Sequence, residues 1–445
     1  MTPEDAPRRG RPGNRFKRLS VYLYDCRIGT VSQDSHGRLT TTYDTEGEWR
    51  EAAGFPPLSL SMPLLLPEHG DKTTSAFLWG LLPENPSVLA ALAREYKVAA
   101  GNPLALLSIV GEDCAGAVQF LVDDAVLTPD GVEWLDEQEI GRRLAELRTQ
   151  ESSTGRRVGE RGQFSLGGAQ SKTALLLNPD GDQFGVPSGK IPTTHILKPP
   201  MPGLDGQVEN EHFCLSLANA AGLNSANSTV RHFASETCIV VTRYDRRRRP
   251  DSDIGWMRVH QEDCCQALSI RPALKYQKDG GPSARKVMDL LRTHSSEPDA
   301  DRERFARALA LNFALLGTDA HAKNFSIMLA PGDEAPQVRL APLYDMNSYL
   351  PYVTERPGDI RMAMSIGSYY ENGRIMPRHW QEEARSWSMD AGQVMDYVRN
   401  TFRSLPDLAQ TVARQCHEDG LNHPIIDKLV VLLAARCRTF GQLYL

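Results

Sequence analysis

The sequence predicts an α+β protein of two lobes, the first rich in strands and the second mostly helical, with a smaller α+β region in front. Three observations predict it. Strand-like segments and short helical ones mix before residue 150; short β-like runs separated by turn residues fill 163–260; and from Gln261 onward apolar positions recur at helical spacing, apart from one hairpin. At 445 residues the chain exceeds one typical domain. Hydrophobic content of 41% with 24% charged residues is that of a soluble globular protein. A formal net charge of −6 argues against a surface built wholly for nucleic acid. No apolar run approaches the roughly 18 to 20 residues that span a bilayer, and Met1 to Asp5 lacks the apolar segment of a signal peptide, so no membrane partner and a cytoplasmic location are expected. Eight cysteines contain no Cys-x-x-Cys pair, and the histidines form no His-x-x-x-His set, so zinc is not expected.

Residues 1–18 carry Arg8, Arg9, Arg11, Arg15, Lys17 and Arg18 among Pro and Gly, which predicts a disordered basic tail, with contact to nucleic acid as the alternative. The first region, 19–150, opens with a hairpin. Its first arm runs from Leu19 to Val31 with Val21, Leu23, Cys26 and Ile28 alternating, and its second from Leu39 to Tyr43. A Pro-rich loop from Pro56 to Pro67, helices from Ser75 to Leu82 and from Pro86 to Tyr96, and a strand from Gly116 to Val122 follow. Asp136 to Arg148 has helical spacing, and Glu151 to Arg157 reads as a polar connector at a boundary near residue 150.

The strand-rich lobe, 151–262, has strands from Lys172 to Leu177 and from Thr193 to Lys198, the second stopped by Pro199-Pro200. A helix from Val208 to Ala221 turns Phe213, Leu215, Leu217 and Ala218 inward, and strands from Cys238 to Arg243 and from Trp256 to His260 complete the lobe. The run Arg246 to Arg249 reads as a solvated loop. In the helical lobe, 263–445, Phe305, Leu309, Phe313 and Leu316 recur at helical spacing until Gly317-Thr318-Asp319 stops the helix. A hairpin follows, from Phe325 to Leu329 and from Val338 to Leu343 around Pro331-Gly332-Asp333.

Asp319, Asn324 and Asp345 converge at one mouth of that hairpin. A loop Asp, an Asn five residues on and an Asp just after a strand suit phosphoryl transfer: the first accepts the proton of an attacking hydroxyl, and the other two offer hard oxygens to Mg²⁺ on nucleotide phosphates. The alternative is an Asx-rich turn, with Asp319 and Asn324 bonding their own backbone. Gly167-Gly168 is not a Walker loop, because Leu166 and Ser171 stand where that motif needs glycines and a strand follows. A glycine turn between strands does let backbone N–H groups approach phosphates. Lys198 ends a strand beside Ile196 and Leu197, either as a snorkelling surface lysine or as a phosphate anchor that Glu211, with Glu209 as competitor, could pair.

Together, Phe164 to Ala174, His195-Ile196-Leu197-Lys198-Pro199, Asn210-Glu211, Gln261-Glu262-Asp263, Lys275-Tyr276 with Asp279-Gly280-Gly281-Pro282, Thr318 to Ser326, Pro342 to Asp345 and Gly80 to Asn85 resemble the HipA family, Ser/Thr-kinase toxins of bacterial type II toxin–antitoxin modules. The resemblance covers most of the chain from about residue 18. It implies a bilobal protein-kinase-like fold, ATP and Mg²⁺ as cofactors, Asp319 as catalytic base, Asn324 and Asp345 as metal ligands, and Lys198, paired with Glu211, as phosphate anchor. It further implies Leu166, Gly167, Gly168, Ala169, Gln170, Ser171 and Lys172 as the phosphate-binding loop, Ser165 as the autophosphorylated serine, and Glu262 and Cys264 as the stretch between lobes whose backbone receives adenine. Tyr344 is placed beside the nucleotide, and His321 and Lys323 support the catalytic loop. A helix-turn-helix antitoxin of the HipB kind, operator DNA reached through it, and a protein of the translation machinery, such as an aminoacyl-tRNA synthetase, are the implied partners. Two departures from ordinary protein kinases are plain: no His-Arg precedes Asp319, and Met346-Asn347 follows Asp345 in place of Phe-Gly. A small-molecule or lipid kinase on the same fold, or an inactive scaffold bridging an antitoxin and DNA, are the alternatives.

Overall fold

The computed structural model describes residues 17–122, 129–149, 163–249 and 255–444. The N-terminal region is built on an antiparallel five-stranded sheet in the order Glu68–His69, Leu39–Tyr43, Cys26–Gln33, Arg18–Leu23, Val118–Leu121. Leu19, Val21, Leu23, Ile28 and Val31 are buried, as their alternation predicts. The stretch from Leu19 to Val31 is nevertheless two strands, not one arm. Tyr24 and Asp25 turn the chain with φ of 53° and 62°, so that Leu23 pairs with Cys26. No glycine marks this turn. Tyr24 is held by distant bonds instead: its hydroxyl donates to the Leu329 carbonyl at 2.6 Å and accepts from the His260 N–H at 2.9 Å. Helices Asp71–Leu81 and Pro86–Tyr96 are joined by one not among the expected elements, Pro103–Val110, capped by Asn102 as Asn85 caps its predecessor.

The second sheet is antiparallel, in the order Ser228–Phe233, Glu236–Thr242, His195–Lys198, Thr173–Leu177, Phe184–Ser188, Gly131–Trp134. The helix Glu137–Thr149 lays Ile140 and Leu144 against Phe233, Cys238 and Val240 of this sheet. Gly131–Trp134 and this helix therefore go with the second sheet, not with the N-terminal region to which the boundary near 150 assigned them. Residues 1–16 of the expected basic tail and the expected connector from 151 to 157 lie outside the described residues. The helix Gln207–Ala220 is buried on nearly every side, with Phe213, Leu215, Leu217 and Ala218 in the core it shares with Ala284–His294, Pro298–Leu315, Pro377–Ser386, Ala391–Glu418 and Pro424–Thr439. Strand-rich and helical lobes thus share a seam, as the bilobal expectation requires.

The expected hairpin forms as Ser326–Ala330 and Gln337–Leu340, and His260–Asp263 adds a third strand. The strand expected from Trp256 to His260 is split. Trp256–Arg258 pairs with Arg246–Arg248, and Glu262 pairs with Ile327 across the boundary expected after residue 262. The run Arg246 to Arg249 is a short strand, Arg246–Arg248, rather than a loop, with Arg247, Arg248 and Arg249 exposed as expected and Arg246 turned inward. Arg246 is buried, with its guanidinium 2.9 Å from Asp113, and Asp113 also takes Arg258 at 3.1 Å. Asp245 holds Arg243 at 2.8 Å and accepts the Gly116 N–H at 2.7 Å, so this ion cluster ties the N-terminal region to the second sheet. Within the cluster the arginines outweigh burial and hold both aspartates below the usual carboxylate range. Among the described residues no helix is long and apolar enough to cross a membrane.

Candidate active site

The helix Pro298–Leu315 ends on Leu316, whose left-handed φ of 54° reverses the chain one residue before Gly317. Gly317 is needed there, since a Cβ would meet the Asn312 side chain at 2.5 Å. The loop then presents Asp319, buries His321 and closes in a short turn, Ala322–Asn324, before the hairpin. The Asn324 amide donates to the Asp319 carbonyl at 2.8 Å, while the Asp319 carboxylate takes the Tyr276 hydroxyl and not its own backbone. The first bond engages only the amide nitrogen of Asn324, which lines the cleft. Asp345 follows Leu343 and Tyr344 with φ 56°, a conformation that Asp tolerates better than most residues.

Asp319, Asn324 and Asp345 line one cleft of about 270 Å³ with Lys172, Lys198 and Glu211. Lys198 Nζ lies 2.8 Å from Glu211 and 2.5 Å from Asp345. Burial opposes the ammonium, but these two carboxylates outweigh it and raise its pKa; Lys198 and Lys172 in turn overcome burial at Asp345 and lower its pKa. Lys198 is therefore an internal, paired cation and not a snorkelling one. Glu209, the other possible partner, lies on a different face of the helix, and Glu211 takes the contact. An amide oxygen and a carboxylate, with nucleotide phosphates and waters completing the shell, suit the hard, octahedral preference of Mg²⁺.

The glycine turn is packed from both sides. A Cβ on Gly167 would meet the Gly80 carbonyl at 2.5 Å and Lys323 Nζ at 2.7 Å; Gly168, at φ 111°, would drive one into Lys172 Nζ at 2.5 Å. Lys172 donates to the Gly167 carbonyl at 2.7 Å. Burial, then its neighbour Lys198, push the Lys172 pKa down to about 8. Gln170 ties the turn to the Pro199 carbonyl at 2.8 Å, while Leu166 and Ala169 line the cleft and Ser171 lines a small cavity behind the turn. Ser165 is buried, donates to the Leu81 carbonyl at 2.9 Å and lies on a strand that pairs with Asp113–Cys114.

His321 is neutral in the fold. Burial, then Lys275, drive its pKa down to about 3, and its ring packs edge-on against Tyr276 at 5.0 Å. Lys323 donates to the Gly80 carbonyl and to Asp263, each at 2.9 Å. Tyr344 donates to the Lys323 carbonyl at 2.7 Å and sits 5.8 Å from Tyr244, ring to ring.

Of the two residues expected at the adenine, one is placed differently. Glu262 lines the cleft, with its carboxylate turned to the N-terminal region, accepting from Ser59 at 2.5 Å and from the Leu60 N–H at 2.6 Å. Cys264 is buried, lies off the cleft and commits its N–H to the Phe325 carbonyl at 2.9 Å. The segment leaving the strand Glu236–Thr242, namely Thr242 to Asp245, lines the cleft together with Gln261 to Asp263, beside Ala115, Ile196 and Val241. A strand that ends in an apolar run before a polar Thr-Arg-Tyr-Asp was the available signal. Glu84, Asp263, Lys275 and Tyr276 also meet at the site.

Comparison with known proteins agrees with this geometry. Residues 164–409 match the HipA-like C-terminal domain, and residues 19–121 match the HipA N-terminal domain. The chain is 37% identical over 403 residues to the candidate kinase Y4mE of Sinorhizobium fredii, covering 89% of this chain and 91% of that one. It is 29% identical over 373 residues to the serine/threonine-protein kinase toxin HipA of Shewanella oneidensis, covering 80% of each. The fold matches the Shewanella oneidensis HipA structure solved with HipB and its operator DNA, with a TM-score of 0.77, 25% identity, and 95% of this chain and 97% of that one covered. The N-terminal sheet and the two-lobed domain behind it are accordingly those of a protein kinase, and the chain belongs to the HipA family of kinase toxins.

Proposed function

We propose that this chain transfers the γ-phosphoryl group of ATP to a serine or threonine hydroxyl of a protein, as the toxin of a type II toxin–antitoxin module. The observation that carries this reading is the convergence of Asp319, Asn324, Asp345 and Lys198 on one cleft faced by the glycine turn. The acceptor oxygen attacks the γ-phosphorus, its proton passes to Asp319, and the bond from the bridging oxygen to the γ-phosphorus breaks to release ADP. Lys198 and Lys172 anchor phosphate oxygens, the N–H groups of Gly167 to Gln170 cradle them, and the Thr242 to Asp245 segment and Tyr344 bound the base. Asn324 and Asp345 would hold Mg²⁺, which when bound neutralises phosphate charge.

Ser165 is the proposed self-phosphorylation site. In this conformation its hydroxyl faces the Leu81 carbonyl, away from solvent, so the 164–172 segment must come out before Ser165 can accept phosphate. A phosphate of about −1.5 to −2 charge cannot return beside that carbonyl, so the modified turn stays out of the cradle and ATP binding is lost. The proposed partners are an antitoxin of the HipB kind and operator DNA through that antitoxin, a reading supported by the Shewanella oneidensis HipA structure solved with HipB and its operator DNA; a protein of the translation machinery is the proposed acceptor, on the family resemblance alone.

The test is transfer of labelled γ-phosphate from ATP to a fractionated cell extract, with the wild-type chain and Asp319→Asn in parallel. Label in a protein band on Ser or Thr, absent with Asp319→Asn, supports the reading. Label confined to the small-molecule or lipid fraction overturns it.

A further inference from the structure

The hydroxyl of Tyr276 donates to one carboxylate oxygen of Asp319. The Asp319 side chain is still 58% exposed, so the other half of the carboxylate remains open to the cleft. Tyr276 is itself fixed on three sides. Its ring meets His321 edge-on, the preceding Lys275 pairs with Glu84 at 2.7 Å, and the following Gln277 exchanges two bonds with Ser365, at 2.8 and 2.9 Å. The loop is closed behind it by Gly281, whose N–H donates to the Tyr276 carbonyl at 3.0 Å and whose Cβ position is filled by the Leu274 carbonyl.

Glu84 comes from the N-terminal region, where its backbone N–H also donates to the Gly168 carbonyl at 3.0 Å. One short segment, Gly80 to Glu84, thus touches Lys323, Ser165, the glycine turn and the loop that carries Tyr276.

We propose that Tyr276 is a positioning residue for the base, orienting the Asp319 carboxylate toward the acceptor, and that Glu84 of the N-terminal region holds it there through Lys275. The inference rests on the reading of Asp319 as base. A carboxylate free to rotate presents its oxygens in many directions; one held at Oδ1 presents Oδ2 in one. The N-terminal region is then part of the catalytic apparatus, because the contact that fixes the base starts from it.

The groups facing Asp319 are Tyr276 and Lys275 on the loop, His321 beside it, Asp345 across the cleft and Glu84 from the N-terminal region. Of these, Tyr276 supplies the hydrogen bond, to Oδ1 of the carboxylate.

The test uses the full chain with MgATP and water as acceptor, read as release of inorganic phosphate, with ATP affinity measured separately. Tyr276→Phe keeps the ring on His321 and removes only the hydroxyl. Its kcat should fall roughly tenfold, the weight of one hydrogen bond to a charged group, with KM for ATP unchanged. A fall in kcat with KM for ATP unmoved is a split that loss of packing alone does not produce. Glu84→Gln should lower kcat in the same direction by less. A rise in phosphate release with Tyr276→Phe overturns the proposal, since the phenol then merely occupies the acceptor's place; an unchanged kcat overturns it equally. Asp319→Asn, run in parallel, separates the two readings. If it retains activity, the assignment of the base fails; if it is inactive while Tyr276→Phe matches wild type, only the positioning role fails.

Discussion

The ammonium of Lys198, on the strand His195–Lys198, lies 2.8 Å from the carboxylate of Glu211 on the helix Gln207–Ala220. Both groups are buried, so the pair locks the strand to the helix. Lys198→Met should leave the buried Glu211 carboxylate facing the half-buried Asp345 without their cation. The expected outcome is loss of ATP binding together with about 3–5 kcal/mol of stability, read by calorimetric titration and denaturant unfolding. Unaltered stability would show that the pair is dispensable to the fold.

The titration of Lys172 predicts how affinity depends on pH. Its pKa of about 8 means that the free protein loses this cation on the alkaline side of neutrality. Phosphates favour the charged form and raise the pKa on binding, so ATP binding takes up a proton at alkaline pH and weakens between about pH 7 and about pH 9. Titration calorimetry in buffers of different ionisation enthalpy measures the uptake directly. Affinity and proton count that both stay flat over this window contradict it.

For Ser165 the expected outcome is graded. Ser165→Ala removes one buried hydrogen bond, worth about 1 kcal/mol, and should keep ATP binding. Ser165→Asp places a charge against the Leu81 carbonyl and should lower ATP affinity sharply. Mass spectrometry of protein expressed with and without the Asp319 carboxylate then asks whether the chain modifies itself. Phosphate on Ser165 in Asp319→Asn protein, with no active copy present, would remove self-phosphorylation from the account.

The buried cluster around Asp113 predicts both a stability and a binding result. Asp113→Ala strands Arg246 and Arg258 and should cost about 3–5 kcal/mol. With Arg246 inside the fold and a net charge of −6, the isolated chain should show no salt-resistant affinity for operator DNA and should gain it only with a basic helix-turn-helix partner. Gel-shift titration at several salt concentrations decides, and tight binding by the chain alone would contradict the indirect role.

The convergence of Asp319, Asn324 and Asp345 was legible because a helix stop and a hairpin bring those positions together by local rules alone. Lys198 was legible because a cation closing an apolar strand needs a partner, and Glu211 follows on the next helix. What escaped depends on residues far apart in the chain. Arg246 looks solvated within its charged run until Asp113 arrives from 133 residues away. The turn at Tyr24 and Asp25 carries no glycine, because bonds to Leu329 and His260 stabilise it from another lobe. Cys264 was read as an adenine contact from motif position, whereas strand pairing commits its N–H to Phe325. The role of Gly80 to Glu84 was invisible for the same reason: nothing local in it announces a contact with a glycine turn some eighty residues on.

The central claim, that Asp319 accepts the proton of an attacking hydroxyl in a nucleotide cleft, is tested most directly by Asp319→Asn. The substitution preserves size and polarity and removes the base. Phosphate transfer from MgATP should fall by about 10²- to 10⁴-fold, with ATP affinity held close to that of wild type. Transfer at the wild-type rate by the Asp319→Asn protein would contradict the account.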